Sequence, residues 1–323
     1  MTNKMSDRTY GIEIEVAGLS EEQAYLALKF ANVSCVDPRA ERSSTTKWHF
    51  HNDNSIRDLA RNIRGDSIAR TCEIVSPILK GSDGFKQIRK VTNALTKFGA
   101  SVNASTGLHV HFGARSLAPK EIYKICERYS QYSNEIDTYF HHKRRADSNN
   151  QYCSKLTSYY LDRINWDKYK AALEVDIAKY KTYTIDYIRR SCHCRILSSP
   201  CEWCVKDYAN ITNNTQTLLE QVSKSDWTTA SEMCRYINTR YLTVNLQAYN
   251  KHGTIEFRQH HGTLNPEQIV SWIRFLDNFI NVSCKMTQKK TKDFGPMHGL
   301  DTNIKKHFLR RTKIRSKAYK YWA

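Results

Sequence analysis

Apolar and polar residues alternate with a period of two along several short stretches of this chain. In "TYGIEIEVAG", Ile12, Ile14 and Val16 share one side and Glu13 and Glu15 the other, and Gly18 predicts a turn beyond them. "GLHVHFG" sets Leu108, Val110 and Phe112 against His109 and His111, and is read as half of a strand pair within "ASVNASTGLHVHFGA". In "GTIEFRQHHG", Ile255 and Phe257 face away from Glu256, Arg258 and His260. "TTKWHFHNDNSI" predicts a strand running into a turn, and "CEIVSPIL" a short apolar strand headed by Glu73 and ended by Pro77. "RYLTVNLQAY" predicts another strand, joined to "GTIEFRQHHG" around "NKHG" as a hairpin.

Other stretches repeat with a helical period. "SEEQAYLALKFAN" predicts a helix capped by Ser20, and "GFKQIRKVTNALTKF" one stopped by Gly99. "APKEIYKICERYSQYSNEIDTYF" predicts a longer helix entered at Pro119, and "NPEQIVSWIRFLDNFINVS" one capped by Asn265 with Pro266 in its first turn. "HHKRRADSNNQYCS" reads as a polar loop, and residues 155–235 as a mainly helical insertion containing a cysteine cluster. There is no regular βαβ rhythm, and the hairpin-like strands favour an antiparallel sheet. The expected class is α+β, a mainly antiparallel sheet with flanking helices.

Length and composition narrow the setting. The chain has 323 residues and 40% hydrophobic content, with no run approaching a membrane span. The N-terminal "MTNKMSDRTYGIEIEV" has no apolar signal-like core, so the expected location is cytoplasmic, without membrane association, and the ten cysteines are expected as reduced thiols. Net charge is +18, but Lys285–Ala323 alone holds twelve Lys/Arg against two acids. That divides the chain into a body at 8–283 and a basic tail at 284–323. The tail reads as a solvated segment contacting something acidic, an acidic protein or nucleic acid.

The polar faces carry the candidate chemistry. Glu13 and Glu15, Glu73, His109 and His111, and Glu256 and Arg258 lie on separate strands. Each pair alone is the ordinary solvated face of an antiparallel sheet. Brought into one sheet, they line a single cleft. Carboxylates with one or two imidazoles suit Mg²⁺ or Mn²⁺ better than a thiolate-type metal, and crowded carboxylates call for such a cation. Arg258 would then grip a phosphate or carboxylate. A basic metal-dependent nuclease or nucleic-acid-binding protein fits the same residues. There is no Gly-rich phosphate loop. Cys192, Cys194, Cys201 and Cys204 in "SCHCRILSSPCEWC" allow a structural Zn²⁺, although the C-x-C half is tight, or are plain reduced cysteines. Cys153 is expected in the core.

The ordered segments "GIEIE", "W…D.S", "CEIVSPIL", "GLHVHFG", "NNQYC", "RYLTVNL" and "GTIEFRQHHGTL" together resemble the amidoligase family, relatives of glutamine synthetase and glutamate–cysteine ligase, over about Tyr10 to Ser283. The cysteine cluster departs from the family's pattern. The resemblance implies a curved, glutamine-synthetase-like catalytic core. It also implies an ATP-dependent ligase working with Mg²⁺ on small-molecule or peptide carboxylate and amine substrates through an acyl phosphate. By motif, Glu13 would face one metal with Glu256 and one histidine of "HVH", and Glu15 another with Glu73; Arg258 would stabilise the transferring phosphoryl group. Spacing does not choose between His109 and His111, though the Gly107 turn favours His109. Asp53 and Ser55 sit where the family's substrate loop would be, and are equally turn residues. Arg240 and Asn245 would reach nucleotide or substrate; Arg144, Arg145 and Tyr152 carry a similar reading or are solvated loop residues.

Overall fold

A computed structural model describes residues 5–53, 55–56, 70–140, 151–191, 202–224, 227–286 and 295–322. Its alternating stretches form six strands of one sheet: β1 (Tyr10–Ala17), β2 (His49–His51), β3 (Thr71–Val75), β4 (Gly107–Gly113), β5 (Val244–Asn245) and β6 (Thr254–His261). Their order is β2-β3-β1-β4-β6-β5, and every neighbouring pair is antiparallel. The helices are α1 (Glu21–Phe30), α2 (Gly81–Lys97), α3 (Pro119–Gln131), α4 (Ser133–Asp137), α5 (Ser158–Ile164), α6 (Trp166–Ser191), α7 (Glu202–Lys224), α8 (Ala230–Cys234), α9 (Gln247–His252), α10 (Pro266–Lys285) and α11 (Thr302–Trp322). The protein is thus α+β, and no described helix is long and apolar enough to cross a membrane.

One face of the sheet is the core. Ile12, Ile14, Ile74, Leu108, Val110, Phe112, Ile255 and Phe257 are each at most 1% exposed. Burial of such a side chain is worth about 1.5–3 kcal/mol. The same core takes in Ile88, Val91 and Leu95 of α2, Ile122 and Ile125 of α3, and Ile269, Ile273, Leu276 and Ile280 of α10. The last four recur at spacings of four, three and four, the apolar stripe of a helix laid on a sheet. Phe257 meets Tyr129 of α3 at 5.4 Å between ring centroids, and Tyr129 meets Phe279 of α10 at 5.6 Å. The predicted caps form: Ser20 and Gln23 make a reciprocal capping box, and the Asn265 side chain accepts from the Glu267 and Gln268 amides.

Several expectations change. Within 100–114 the one strand is β4: Ser101 makes a single antiparallel bridge to Ala17, and Asn103 then binds the Ser105 amide at 2.8 Å and closes a turn. The helix expected over 118–140 breaks at Tyr132 into α3 and α4. "NKHG" is not a hairpin turn: it ends α9, with Gly253 left-handed at φ 70°, although β5 and β6 still pair. The tail is not wholly a solvated segment. Phe308 of α11 is fully buried, 5.2 Å from Tyr139 and 5.4 Å from Phe275.

The most consequential change is in β6. Phe257 pairs with Val110 and His260 with Leu108, so Arg258 and Gln259 both stand opposite His109. This β-bulge inserts one extra residue and reverses the alternation beyond it. His260 therefore leaves the polar face and lies fully buried against Phe140 and Trp272, at 4.9 and 5.7 Å.

Candidate active site

The registers of five strands gather the polar residues. Glu15 lies directly across from Glu73, Glu13 from His109, and His111 from Glu256, which in turn pairs with Asn245. Two carboxylates opposite one another on the same face destabilise a sheet unless something cationic lies between them. The arrangement comes from the other face: the apolar residues of β3, β1, β4 and β6 must all reach the core, and a one-residue slip would invert every side chain.

His109 is the hub. It is 2% exposed, and its Nδ1 lies 2.9 Å from Glu13 Oε2, 3.6 Å from Glu256 Oε1 and 4.0 Å from Glu73 Oε1. Its Nε2 lies 3.2 Å from Glu15 Oε1, but without the alignment of a hydrogen bond. Glu15 is itself held by the Gly107 amide, 2.5 Å from its Oε2. His111 reaches Glu13 Oε1 through Nε2 at 3.1 Å, and its Nδ1 shares a hydrogen bond of 3.0 Å with Thr254 Oγ1. Glu256 is 4% exposed; it accepts from Asn245 Nδ2 at 2.6 Å and from Arg258 Nη1.

The charges divide into two populations. Burial opposes ionisation of Glu13, but the His111 charge and hydrogen bonds from both histidines outweigh it, holding its pKa well below the usual carboxylate range. Glu73 goes the other way. Burial, then repulsion from Glu13, Glu15 and Asp53, pushes its pKa well above that range. His111 is desolvated, yet Glu13 and then Glu256 raise its pKa. Arg258 is likewise desolvated and likewise raised, chiefly by Glu256.

This donor set fits divalent cations. Glu13, His109 and Glu256 place ligand atoms within 4.8 Å of one another, and so do Glu15, Glu73 and His109. His109 has a carboxylate against each ring nitrogen, and only the Nδ1 contact with Glu13 has the alignment of a hydrogen bond, so Nε2 and Glu15 Oε1 stand 3.2 Å apart unbonded. A cation reconciles that contact, and oxygen ligands with one nitrogen suit Mg²⁺ or Mn²⁺.

The other candidates divide. Asn245 belongs to the cluster through Glu256, and its Oδ1 also accepts from the Gln247 amide at 2.9 Å. Asp53 lies near enough to act on Glu73, while its Oδ1 holds the Ser55 amide at 2.7 Å, so the turn and the site share it. Arg240 is exposed and stacks on Tyr241, with which Tyr152 also packs. Cys153 is fully buried, as expected for a core thiol. Arg144, Arg145, Cys192, Cys194 and Cys201 lie outside the described residues, as does the side chain of Cys204. Residues not foreseen are Thr254, the Gly107 amide, His51 across from Glu73, and His252, whose ring meets that of His111 at 6.1 Å. The "HFH" alternation carried a signal for His51; nothing local marked His252, which α9 brings back over the sheet.

A family model described as "Putative amidoligase enzyme" matches residues 6–280. No curated protein matches the chain.

Proposed function

The chain belongs to the amidoligase family, and from that premise we propose that it is an ATP-dependent carboxylate–amine ligase with a glutamine-synthetase-like core. The observation that carries the reading is the Glu15–Glu73 pair, two carboxylates opposed across strands beside the His109 hub that also serves Glu13 and Glu256. A sheet tolerates such a face when cations and phosphates occupy it.

In this reading an oxygen of the substrate carboxylate attacks the γ-phosphorus of ATP and ADP leaves. The amine then attacks the acyl carbon, inorganic phosphate leaves, and the nitrogen loses a proton as the amide forms. Glu15, Glu73 and His109 would hold one divalent ion and Glu13, His109 and Glu256 another. Bound there, Mg²⁺ or Mn²⁺ supplies neutralisation of the nucleotide's phosphates. Arg258 is fully charged, and Glu256 and the bulge hold it on the polar face. A fixed guanidinium at that place favours the crowded charge of the transferring phosphoryl group. Asn245 and Thr254 keep Glu256 and His111 from rotating away. The apolar floor behind them keeps water from the buried side of the cluster.

The test is ATP turnover by the full chain with Mg²⁺ across pools of amino acids and acidic peptides, beside Arg258→Ala. ADP release that needs both an added carboxylate and an added amine supports the ligase. Cleavage of phosphodiesters without nucleotide-dependent ligation would replace it with a metal-dependent nuclease.

A further inference from the structure

The basic C-terminal helix lies outside the residues matched by the family model, and the ligase chemistry leaves it without a task. From Thr302 to Trp322 it holds eight Lys/Arg and no acid. Its inner side is committed to the core: Ile304 and Phe308 are buried, and Arg311 Nη2 reaches His261 Nε2, at the end of β6, at 2.8 Å. Lys306, Leu309 and Arg310 are exposed. Lys306, Arg310, Lys313, Lys317 and Lys320 follow one another at spacings of four, three, four and three. On an α-helix that spacing puts all five positions along one line, about 5 Å apart along the axis. Among the described residues no carboxylate pairs with Lys305, Lys306 or Arg310.

A row of like charges destabilises its own helix unless something neutralises it. Here Ile304 and Phe308 dock the first turns, so the helix does not depend on neutralisation of that row. We propose that this line of cations is a docking surface for the phosphate backbone of nucleic acid, independent of the ligase centre. Charge complementarity selects the partner. An unbroken row without acids matches a polymer that carries a charge at every unit, whereas protein surfaces mix signs. A lipid surface needs a continuous free apolar helix face; here Ile304 and Phe308 are spent on the core, and among the described side chains of the helix Leu309 is the one exposed apolar residue.

The test is fluorescence anisotropy of the full chain with a labelled 20-base-pair DNA duplex and a 20-nucleotide RNA, from 50 to 200 mM salt. Five phosphate contacts predict a slope of log K against log salt of about −4.5 on the duplex, roughly a 500-fold loss over that range, and about −3.5 on the single strand. Lys306→Gln/Arg310→Gln/Lys313→Gln should reduce the slope by about 2.7 on the duplex and about 2.1 on the single strand, with thermal unfolding and Mg²⁺ binding unchanged. An unaltered slope in that variant overturns the proposal. So does binding to poly-glutamate or to phosphatidylserine vesicles that matches binding to the oligonucleotides. Nucleic acid binding without ligation leaves the docking intact and counts only against the ligase reading, so the two fail separately.

Discussion

Replacing Glu73 with Gln should stabilise the protein in the absence of divalent metal and weaken its response to metal. Glu73 lies opposite Glu15, with their nearest ligand atoms within 4.8 Å. Two unit charges at that distance repel by about 3 kcal/mol at an effective dielectric constant of 20. Burial first, and repulsion from Glu13 and Glu15 after it, raise the Glu73 pKa above its unfolded value. A carboxyl group with a raised folded pKa favours the fold fully only below its ordinary range. That contribution is lost as pH rises, by about 1.4 kcal/mol per unit, until the folded pKa is passed. Glu73→Gln removes the penalty. Urea unfolding in EDTA should therefore show a gain near zero at pH 4 and below, growing to about 2–3 kcal/mol by pH 7–8. In the same variant the stabilisation brought by millimolar Mg²⁺ should fall, because one ligand is gone. A variant that is destabilised in EDTA at pH 8, or one whose Mg²⁺ response equals that of the native protein, would refute the reasoning and return these residues to an inert, solvated face.

Arg258→Ala should lower kcat for ligation by about 10²–10³, and Arg258→Lys should restore little, because an ammonium cannot reproduce the guanidinium's paired geometry; single-turnover ADP release measures both. Phe308→Ala should cost about 3–5 kcal/mol in urea unfolding, since the ring fills a nest of Tyr139, Phe275 and Trp272; a loss below 1 kcal/mol would mean that α11 is not docked. Glu13, with its pKa depressed, contributes stability that is lost as pH falls through its folded value. His111, with its pKa raised, contributes stability that is lost as pH rises through its own. Thermal unfolding of His111→Gln should accordingly lie below that of the native protein between those limits and converge with it at higher pH.

Much of the sheet was legible because its strands are amphipathic. Ile12, Ile14, Leu108, Val110, Ile255 and Phe257 alternate with Glu13, His109, His111 and Glu256, and period two alone places each set on its own face. Which strands adjoin was not legible. β3 and β4 flank β1 although the three are far apart in sequence, and only that order sets Glu73 and His109 on either side of β1. The α9 excursion escaped because "NKHG" reads as a turn, and a short helix ended by a left-handed glycine uses the same residues. The docking of α11 escaped because composition overwhelmed pattern: two apolar anchors, Ile304 and Phe308, sit among eight cations.

His260 shows the limit of pattern reading most clearly, and also what the site required. Strict alternation along β6 would have put Glu256, Arg258 and His260 on one face, a carboxylate, a guanidinium and an imidazole in a row. The bulge breaks that row after Arg258. Gln259, opposite His109 with Arg258, turns into the core, where it accepts from Tyr129 Oη at 2.7 Å and donates to the Asp137 carboxylate. Those buried bonds compensate the ladder pairing that a bulge gives up. They also fix where the alternation reverses, and so leave Arg258 as the last charged residue of β6 on the polar face. His260 then joins Phe140 and Trp272 under α10, and His261 becomes the contact for Arg311 of α11. One extra residue thus separates a strand end that serves chemistry from one that serves packing. A hydrophobicity pattern cannot reveal it, because it is defined by the register of β6 against β4 and not by β6 alone.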